Sequence, residues 1–303
     1  MRMSRRDASA TAGSQATETN VRARDEIRSL LARYGHRPRR GLGQHFLVDD
    51  RVYERILTEA APHADTCIVE IGAGLGTLTR RLVRLVPAGR LVALERDPQL
   101  CDLLRAELGA EPACSIVQGD AVTYDYKALA AHVQQRLLIV GNIPYSISGP
   151  LLARLLDLHA VAERVILLMQ REVGERILAS PATKAYGILT VLLAVHFEIS
   201  PVLRVGPQSF FPPPKVDSLL VRLTPRPSPR VHLEDEGLFR RIVRAAFGQR
   251  RKTLRNALEG CLHKEDIERV LQEAGVDGHR RGETLSVEEF ARLANIACRC
   301  THV

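Results

Sequence analysis

Residues 66–80 read TCIVEIGAGLGTLTR, and this stretch decides the fold. A short apolar run typical of a buried β-strand leads into a turn that contains Gly72, Gly74 and Gly76, and a helical pattern follows. Glycine lets the backbone of such a turn pass close to a ligand, and the first turn of the next helix has free N–H groups. We therefore predict a strand–turn–helix unit that binds a ligand.

The same alternation of apolar strands and helical stretches continues along the chain. Further strands are predicted in GRLVALE (89–95), CSIVQGDA (114–121), RLLIVGN (136–142) and RVILLMQ (164–170). Strands that alternate with helices indicate βαβ units and a mostly parallel sheet. The predicted fold class is therefore α/β with a Rossmann-like domain, in which ligands bind beyond the carboxyl ends of the strands.

Changes in composition predict three segments. Residues 1–36 are basic and lack a sustained hydrophobic period, which indicates a flexible N-terminal arm of unassigned function. Residues 37–225 carry the α/β pattern, and residues 226–303 are mainly helical after a proline-rich stretch. We predict a catalytic domain followed by a smaller helical domain.

The last predicted helix has a clear start signal. Ser286 is followed three residues later by Glu289, which makes a capping box, and Leu285 and Phe290 occupy the positions of a hydrophobic staple. The helix is therefore predicted to begin at Ser286.

The composition is that of a folded, basic protein. The 303 residues are 45% hydrophobic, and the formal net charge of +8 with a pI near 9.5 favours a polyanionic partner. The six cysteines form no CxxC pair, so we expect reduced thiols and no metal site. No stretch resembles a membrane span or a signal peptide, and we expect a cytoplasmic protein.

Two carboxylates follow neighbouring predicted strands. Glu95 ends the second strand, where a carboxylate can accept both ribose hydroxyls of a nucleotide or nucleoside, and Asp120 after the third can accept from an adenine amine. A dinucleotide fingerprint would have a third glycine at position 77, which is Thr77 here. The pattern favours S-adenosylmethionine, with a NAD enzyme as the alternative.

The segment GNIPY (141–145) follows the fourth strand. Asn142 offers an amide oxygen, the backbone near Pro144 offers a carbonyl, and Tyr145 offers a flat ring. Two acceptors and a ring suit the N6 amine and the face of a target adenine. We predict methyl transfer that depends on positioning rather than on a strong base.

These motifs resemble those of one known family. GLGQHFLVDD, VEIGAGLGTLT, ALERD, GDA, GNIPYSIS, FFPPPKVDSLLVRL, FGQRRKTLRNAL and GETLSVEEFARLAN occur in this order between residues 41 and 295. The chain is similar to the small-subunit ribosomal RNA adenine N6-dimethyltransferases of the KsgA type over about five-sixths of its length.

The resemblance implies roles for individual residues. S-adenosylmethionine would be bound by His45, Leu47, Gly72, Glu95, Asp120 and Asn142, to which the glycine turn adds Gly74. Tyr145 and Phe210 would flank the flipped adenine. The family dimethylates N6 of two adjacent adenosines in the 3′-terminal hairpin loop of small-subunit rRNA. The implied partner is the immature small ribosomal subunit, and we expect a monomer.

A basic stretch is predicted to bind RNA phosphates. Between residues 240 and 258 there are seven cations and no acidic residue, with apolar spacing typical of helices that bury one side. The predicted RNA-binding residues are Lys215, Arg244, Arg250, Arg251, Lys252 and Arg255.

Two other functions remain open. One is methylation of large-subunit rRNA by a macrolide-resistance type of enzyme, which shares the fold and the NIPY motif. The other is a non-catalytic role, as an RNA-binding ribosome assembly factor or a transcription factor of mitochondrial type. The intact donor motifs favour an active enzyme.

Overall fold

The structure is a computed structural model that describes residues 21–249 and 251–300. Their nine strands are β1 (Phe46–Leu47), β2 (Cys67–Ile71), β3 (Arg90–Glu95), β4 (Cys114–Gln118), β5 (Leu137–Asn142), β6 (Ala162–Gln170), β7 (Phe197–Val205), β8 (Phe210–Phe211) and β9 (Ser218–Pro225). Seven of the strands form one sheet, in the order β4-β3-β2-β5-β6-β9-β7.

Helices follow most of the strands. Their bounds are α1 (residues 21–33), α2 (Asp50–Ala60), α3 (Thr79–Val83), α4 (Pro98–Leu108), α5 (Tyr126–Val133), α6 (Ser148–Leu155), α7 (Arg171–Ile177), α8 (Ile188–His196), α9 (Glu236–Gly248), α10 (Leu254–Leu258), α11 (Lys264–Ala274) and α12 (Val287–Cys300). None of these helices is long and apolar enough to cross a membrane.

The predicted α/β fold is confirmed. β4 at the edge pairs in parallel with β3, β3 with β2, β2 with β5, and β5 with β6. β9 then pairs antiparallel to β6. All five residues of β2 are buried, which is why this strand reads as a continuous apolar run around Glu70. The parallel order brings the carboxyl ends of β2, β3, β4 and β5 to one edge of the sheet.

A second sheet consists of two short strands, β1 and β8, and packs against the core of the large sheet. β1 pairs antiparallel with β8, so that Phe46 lies opposite Phe211 and Leu47 opposite Phe210. Leu47 and Phe210 belong to the main hydrophobic core, together with Ile68 of β2. The pairing therefore fixes the segment before α2 against the sheet domain.

The described residues divide into two compact units, and the division differs from the predicted boundary at residue 225. The first unit contains the described residues up to Arg154, with Ala160–Arg171 and Pro201–Leu223. The second contains Leu155–His159 and Glu172–Ser200 besides the chain from Thr224 onward.

Hydrogen bonds explain why Glu172–Ser200 joins the second unit. The Tyr186 hydroxyl donates to the Leu285 carbonyl (2.9 Å), and the Ala182 amide donates to the Glu283 carbonyl (2.8 Å). These bonds join segments that are distant in sequence, so composition could not reveal them.

The predicted start of the last helix is confirmed. The Ser286 amide donates to the Glu289 carboxylate (2.8 Å), and the Glu289 amide donates to the Ser286 hydroxyl (3.2 Å). Leu285 and Phe290, the two staple residues, are fully buried. Both halves of the capping box are therefore formed.

The structure differs from the predicted flexible arm over residues 21–33, which form α1. Ile27 and Leu31, four residues apart on one helix face, are buried in a cluster with Leu100 of α4. Two apolar residues in a segment rich in arginine are too few to predict an amphipathic helix from the sequence. Residues 1–20 of the predicted arm lie outside the described residues.

Candidate functional site

A cavity opens at the carboxyl ends of β2, β3, β4 and β5. It encloses about 810 Å³ of space, including the part that is open to solvent. Eight of the predicted site residues line it: His45, Gly72, Gly74, Glu95, Asp120, Asn142, Pro144 and Tyr145. The structure thus brings together residues that are up to 100 positions apart in the chain.

The glycine turn after β2 forms the floor of this cavity. Gly72 and Gly74 have φ angles of +71° and +58°, a left-handed conformation that side chains with a Cβ rarely adopt. A Cβ on Gly74 would also lie 3.3 Å from the Phe46 ring. Thr77 donates or accepts a 2.6 Å hydrogen bond with the Tyr53 hydroxyl, so this position holds neighbouring elements together.

Glu95, at the end of β3, is held by three backbone amides. Its carboxylate accepts from the N–H groups of Gly74, Arg96 and Asp97, each at 2.9 Å. Burial raises the pKa of Glu95, and these N–H groups oppose that rise. A carboxylate has about four acceptor positions, so one remains for a ribose hydroxyl in this geometry. Binding both hydroxyls requires one amide to be released.

Asp120 follows β4, the strand next to β3, and also lines the cavity. One carboxylate oxygen accepts from the Val122 amide (2.8 Å), which holds the turn, and the other lies 3.5 Å from an Arg96 guanidinium nitrogen. About a third of the Asp120 side chain is exposed. The second oxygen can therefore accept from a ligand amine.

Asp120→Asn is expected to weaken methyl-donor binding about 10- to 100-fold, because an amide N–H would replace the oxygen that is predicted to accept from the adenine amine of the donor. The remaining amide oxygen can still accept from Val122, so the turn should be kept. Calorimetric titration of S-adenosylmethionine measures the effect, with Asp102→Asn on the exposed face of α4 as the control. An affinity within threefold of the wild-type value would remove Asp120 from the donor site.

Asn142 ends β5 and is oriented by the segment before β1. Its side-chain amide nitrogen donates to the backbone carbonyl of His45 (2.8 Å). The amide oxygen is left to accept from a ligand, as the sequence predicts for the target amine. His45 itself contributes through its backbone here, whereas its ring bonds elsewhere.

The part of the cavity that is lined by His45 and Tyr145 is held by two side-chain bonds. The Tyr145 hydroxyl lies 2.7 Å from Ser218 Oγ, and His45 Nδ1 donates to the Pro212 carbonyl (2.7 Å). The His45 and Tyr145 rings are 5.5 Å apart between centroids, with an angle of 34° between planes. Burial raises the pKa of Tyr145, so its hydroxyl stays neutral near pH 7. Tyr145 is thereby a fixed ring in the lining of the cavity.

The structure does not bring two predicted residues to the cavity. Phe210 is 0% exposed and Leu47 is 3% exposed, and both pack in the main core where β1 pairs with β8. In this conformation Phe210 cannot contact a flipped base and Leu47 cannot contact the donor through its side chain. The reason is the β1–β8 pairing, which a reading of separate motifs does not reveal.

Other lining residues were missed from the sequence. Phe46 covers the glycine turn, and Gln44 lines the cavity while its amide donates to buried Asp97 (2.9 Å). His36 Nε2 lies 3.3 Å from the Gln44 oxygen, and the Arg39 amide donates to that same oxygen (2.7 Å). The available signal was the QHF run (44–46), which directly follows the basic, turn-rich stretch RPRRGLG (37–43).

Comparison with known proteins identifies the family. The sequence profile described as ribosomal RNA adenine dimethylase matches residues 35–298. The chain belongs to the ribosomal RNA adenine dimethylase family. It is 44% identical over 269 residues to a protein of Magnetococcus marinus named ribosomal RNA small subunit methyltransferase A, covering 89% of this chain and 95% of that protein. A protein of the same name from Geobacter sulfurreducens is 43% identical over 263 residues, covering 86% and 95%.

Solved structures agree with the fold of this family member. A dimethyladenosine transferase from Plasmodium falciparum has a TM-score of 0.69 at 23% identity, over 82% of this chain and 96% of that one. The 23S rRNA methyltransferase ErmE has a TM-score of 0.63 at 27% identity, over 84% and 99%. The fold of the family extends through both units of the chain, and the chain is an enzyme of this family.

The predicted RNA-binding cations of this family member differ in their surroundings. Arg244, Arg251, Lys252 and Lys215 are exposed, and none has an ion pair within residues 21–249 and 251–300. Arg255 instead pairs with Glu268. Arg250 lies outside the described residues.

One further exposed cation, Arg241, lies on the same helix as Arg244. Arg241 and Arg244 lie three residues apart on the exposed face of α9. Ile242 and Val243, on the other face of this helix, are fully buried. Neither arginine has an ion-pair partner within the described ranges. We define Arg241, Arg244, Arg251 and Lys252 as the basic face.

Proposed function

We propose that the enzyme uses S-adenosylmethionine to dimethylate N6 of two adjacent adenosines in the 3′-terminal hairpin loop of 16S rRNA, as a step in small-subunit biogenesis. The observation that carries this proposal is the acceptor set of the cavity. Glu95 and Asn142 end two strands of one sheet, Asp120 follows a third, and all three line one cavity together with the neutral Tyr145 ring. These groups suit an adenosine-containing donor and a second adenine.

The residues present fit the donor. Glu95 has an acceptor position left for a ribose hydroxyl, Asp120 has an oxygen for the adenine amine, and the left-handed turn at Gly72 and Gly74 lets the backbone approach the ligand. When bound, S-adenosylmethionine supplies a sulfonium methyl group that bonds to the amine as its C–S bond breaks, and the amine releases one proton to water.

The chain's own contribution is to position the acceptor base. The Asn142 oxygen is aimed by the bond from its amide to His45, and Tyr145 is held by Ser218. A hydrogen bond from the target N6 amine to Asn142 orients the nitrogen lone pair, and the Tyr145 ring supports the base. No strong base is required, because the positive charge of the donor is neutralised as the bond forms.

RNA binding is expected to depend on the basic face. The double variant Arg244→Ala/Arg251→Ala should bind small-subunit rRNA more weakly, whatever the base sequence. The slope of log K against log salt should become less steep by about one for each cation removed. Filter binding over a range of salt concentrations measures this slope.

The matched control is Arg255→Ala, since Arg255 is already paired with Glu268 and should change the slope less. A slope that is unchanged in the double variant, or an equal change in the control, would place the RNA-binding face elsewhere.

A large-subunit substrate is the competing function, and one observation weighs against it. Identity to proteins named small subunit methyltransferase A reaches 44%, whereas identity to the 23S rRNA methyltransferase ErmE is 27%. Both proteins are covered almost completely, so the difference is not caused by a missing domain.

The test is methyl transfer from labelled S-adenosylmethionine into ribosomal subunits from a strain that lacks the modification. Nuclease digestion and mass spectrometry then identify the product and its position. We expect N6,N6-dimethyladenosine in the 3′ hairpin of small subunits and none in large subunits. Label in large subunits would support the competing function, and donor binding without transfer would support an assembly factor.

A further inference from the structure

The loop between β8 and β9 exposes an apolar side chain beside a cation. Val216 is 47% exposed and is one of four large hydrophobic residues that are exposed in the described part of the chain. Lys215 next to it is exposed and has no ion pair within residues 21–249 and 251–300. Exposed valine and unpaired lysine side by side suit a partner that is both apolar and anionic.

This loop is rigid rather than loosely held. Pro212, Pro213 and Pro214 restrict the backbone at its start. At its end, the Asp217 carbonyl accepts from the Arg171 amide (2.9 Å), and the two side chains form an ion pair at 2.9 Å. The exposure of Val216 is therefore a defined feature of the folded chain.

Both ends of the loop are bonded to residues that line the cavity. The Pro212 carbonyl accepts from His45, and Ser218 is bonded to Tyr145. Val216 is two residues from Ser218, so their Cα atoms are at most about 7 Å apart. Lys215 and Val216 are therefore carried by a short loop that is anchored at both ends to cavity-lining residues, although they do not line the cavity themselves.

We propose that Val216 packs on the base of the nucleotide adjacent to the adenosine being methylated, and that Lys215 binds that nucleotide's phosphate. The inference rests on the proposed function. An adenine that enters the cavity leaves its stack, so its neighbour loses a stacking partner. An apolar side chain can replace that partner, as wedge residues do in nucleic-acid complexes. Because the two target adenosines are adjacent, the base on Val216 would be the second target.

The test is a double-mutant cycle in which one change is made in the protein and the other in the RNA. Wild type and Val216→Ala are compared on small subunits reconstituted with a ligated 3′ rRNA segment, in which the adenosine beside the reacting one is intact or abasic. With intact RNA the variant should have a KM for subunits about tenfold higher. With abasic RNA the two enzymes should be equal within a factor of two, because the base that Val216 contacts is gone.

Controls separate this role from a general loss of function. Leu85→Ala removes another exposed apolar residue (41% exposed) outside the cavity lining and should behave as wild type on both RNAs. Donor affinity and melting temperature should be unchanged in Val216→Ala. Val216→Thr keeps the shape but adds a hydroxyl, and should give an intermediate KM.

The outcomes are distinct. Equal KM values for wild type and Val216→Ala on intact RNA would overturn the inference while leaving the proposed function intact. A tenfold effect that persists on abasic RNA would also overturn it, because the contact would then be to something other than the neighbouring base. A wild-type enzyme that transfers no methyl group to small subunits would overturn the proposed function, and the inference with it.

Discussion

Asn142→Ala is expected to lower kcat/KM for methyl transfer to small-subunit rRNA by about 100- to 1000-fold, the cost of removing one preorganised polar group from a reacting centre. The Asn142 side chain is fixed before any ligand binds, because its amide donates to the His45 carbonyl. Alanine removes the acceptor that we propose to orient the target amine. Single-turnover transfer to small subunits measures the loss.

A second substitution at the same position tests this explanation. Asn142→Asp keeps an oxygen but loses the N–H that donates to the His45 carbonyl. The carboxylate and this carbonyl would repel each other, so the side chain should rotate away from its present position. We expect a similarly large loss of kcat. Gln272→Ala, which removes an exposed amide on α11, is the control. A kcat/KM within threefold of wild type for Asn142→Ala would show that Asn142 does not orient the amine.

Glu70→Gln is expected to stabilise the protein at alkaline pH. Glu70 lies in the middle of β2, is 2% exposed, and has a carboxylate oxygen with no hydrogen-bond partner within the described residues. Burial, with a further contribution from the charge of Glu95, raises the pKa of Glu70 to about 8. The nearby Cys114 thiol, whose pKa burial raises to about 11, stays neutral over this range.

The direction of the pH effect follows from proton binding. Between the unfolded pKa of 4.5 and the folded pKa of about 8, the folded chain holds a proton that the unfolded chain has lost. Stability therefore falls as the pH rises through this window and is lowest above pH 8. Glutamine has no charge to bury. The free energy of unfolding of the variant should therefore rise relative to that of wild type as the pH rises, by at most about 5 kcal/mol.

Urea unfolding of Glu70→Gln and wild type at pH 5 and pH 9 measures this difference. The control is Glu172→Gln, because the Glu172 side chain is 84% exposed and should show no such dependence. A difference between Glu70→Gln and wild type that is the same at both pH values would mean that Glu70 is ionised in the folded protein throughout.

Local patterns were sufficient where a residue's neighbours in sequence are also its neighbours in space. The strands around the glycine turn, their parallel order and the capping box at Ser286 were all predicted from short windows. The positions of Glu95, Asp120 and Asn142 at one cavity follow from the same rule, because the carboxyl ends of parallel strands meet at one edge of a sheet.

Predictions that required knowledge of distant packing were less complete. Phe210 matched a motif, yet its pairing with Leu47 turns the ring into the core. Arg255 belonged to a basic run, yet Glu268 from α11 is its partner. Neither contact has a signal in the local sequence.

The sequence by itself determined the α/β architecture, the glycine turn and the identities of the polar groups at the strand ends, because these depend on hydrophobic period and backbone freedom. Only the tertiary structure decided which groups face the cavity and which of their hydrogen-bonding atoms are left for a ligand. The Glu95 carboxylate is mostly occupied by backbone amides, and Phe46 closes over Gly74. The loop that carries Val216 is held by bonds from Pro212 to His45 and from Ser218 to Tyr145. Such properties depend on contacts between residues far apart in the chain, and these form only when the whole domain has folded.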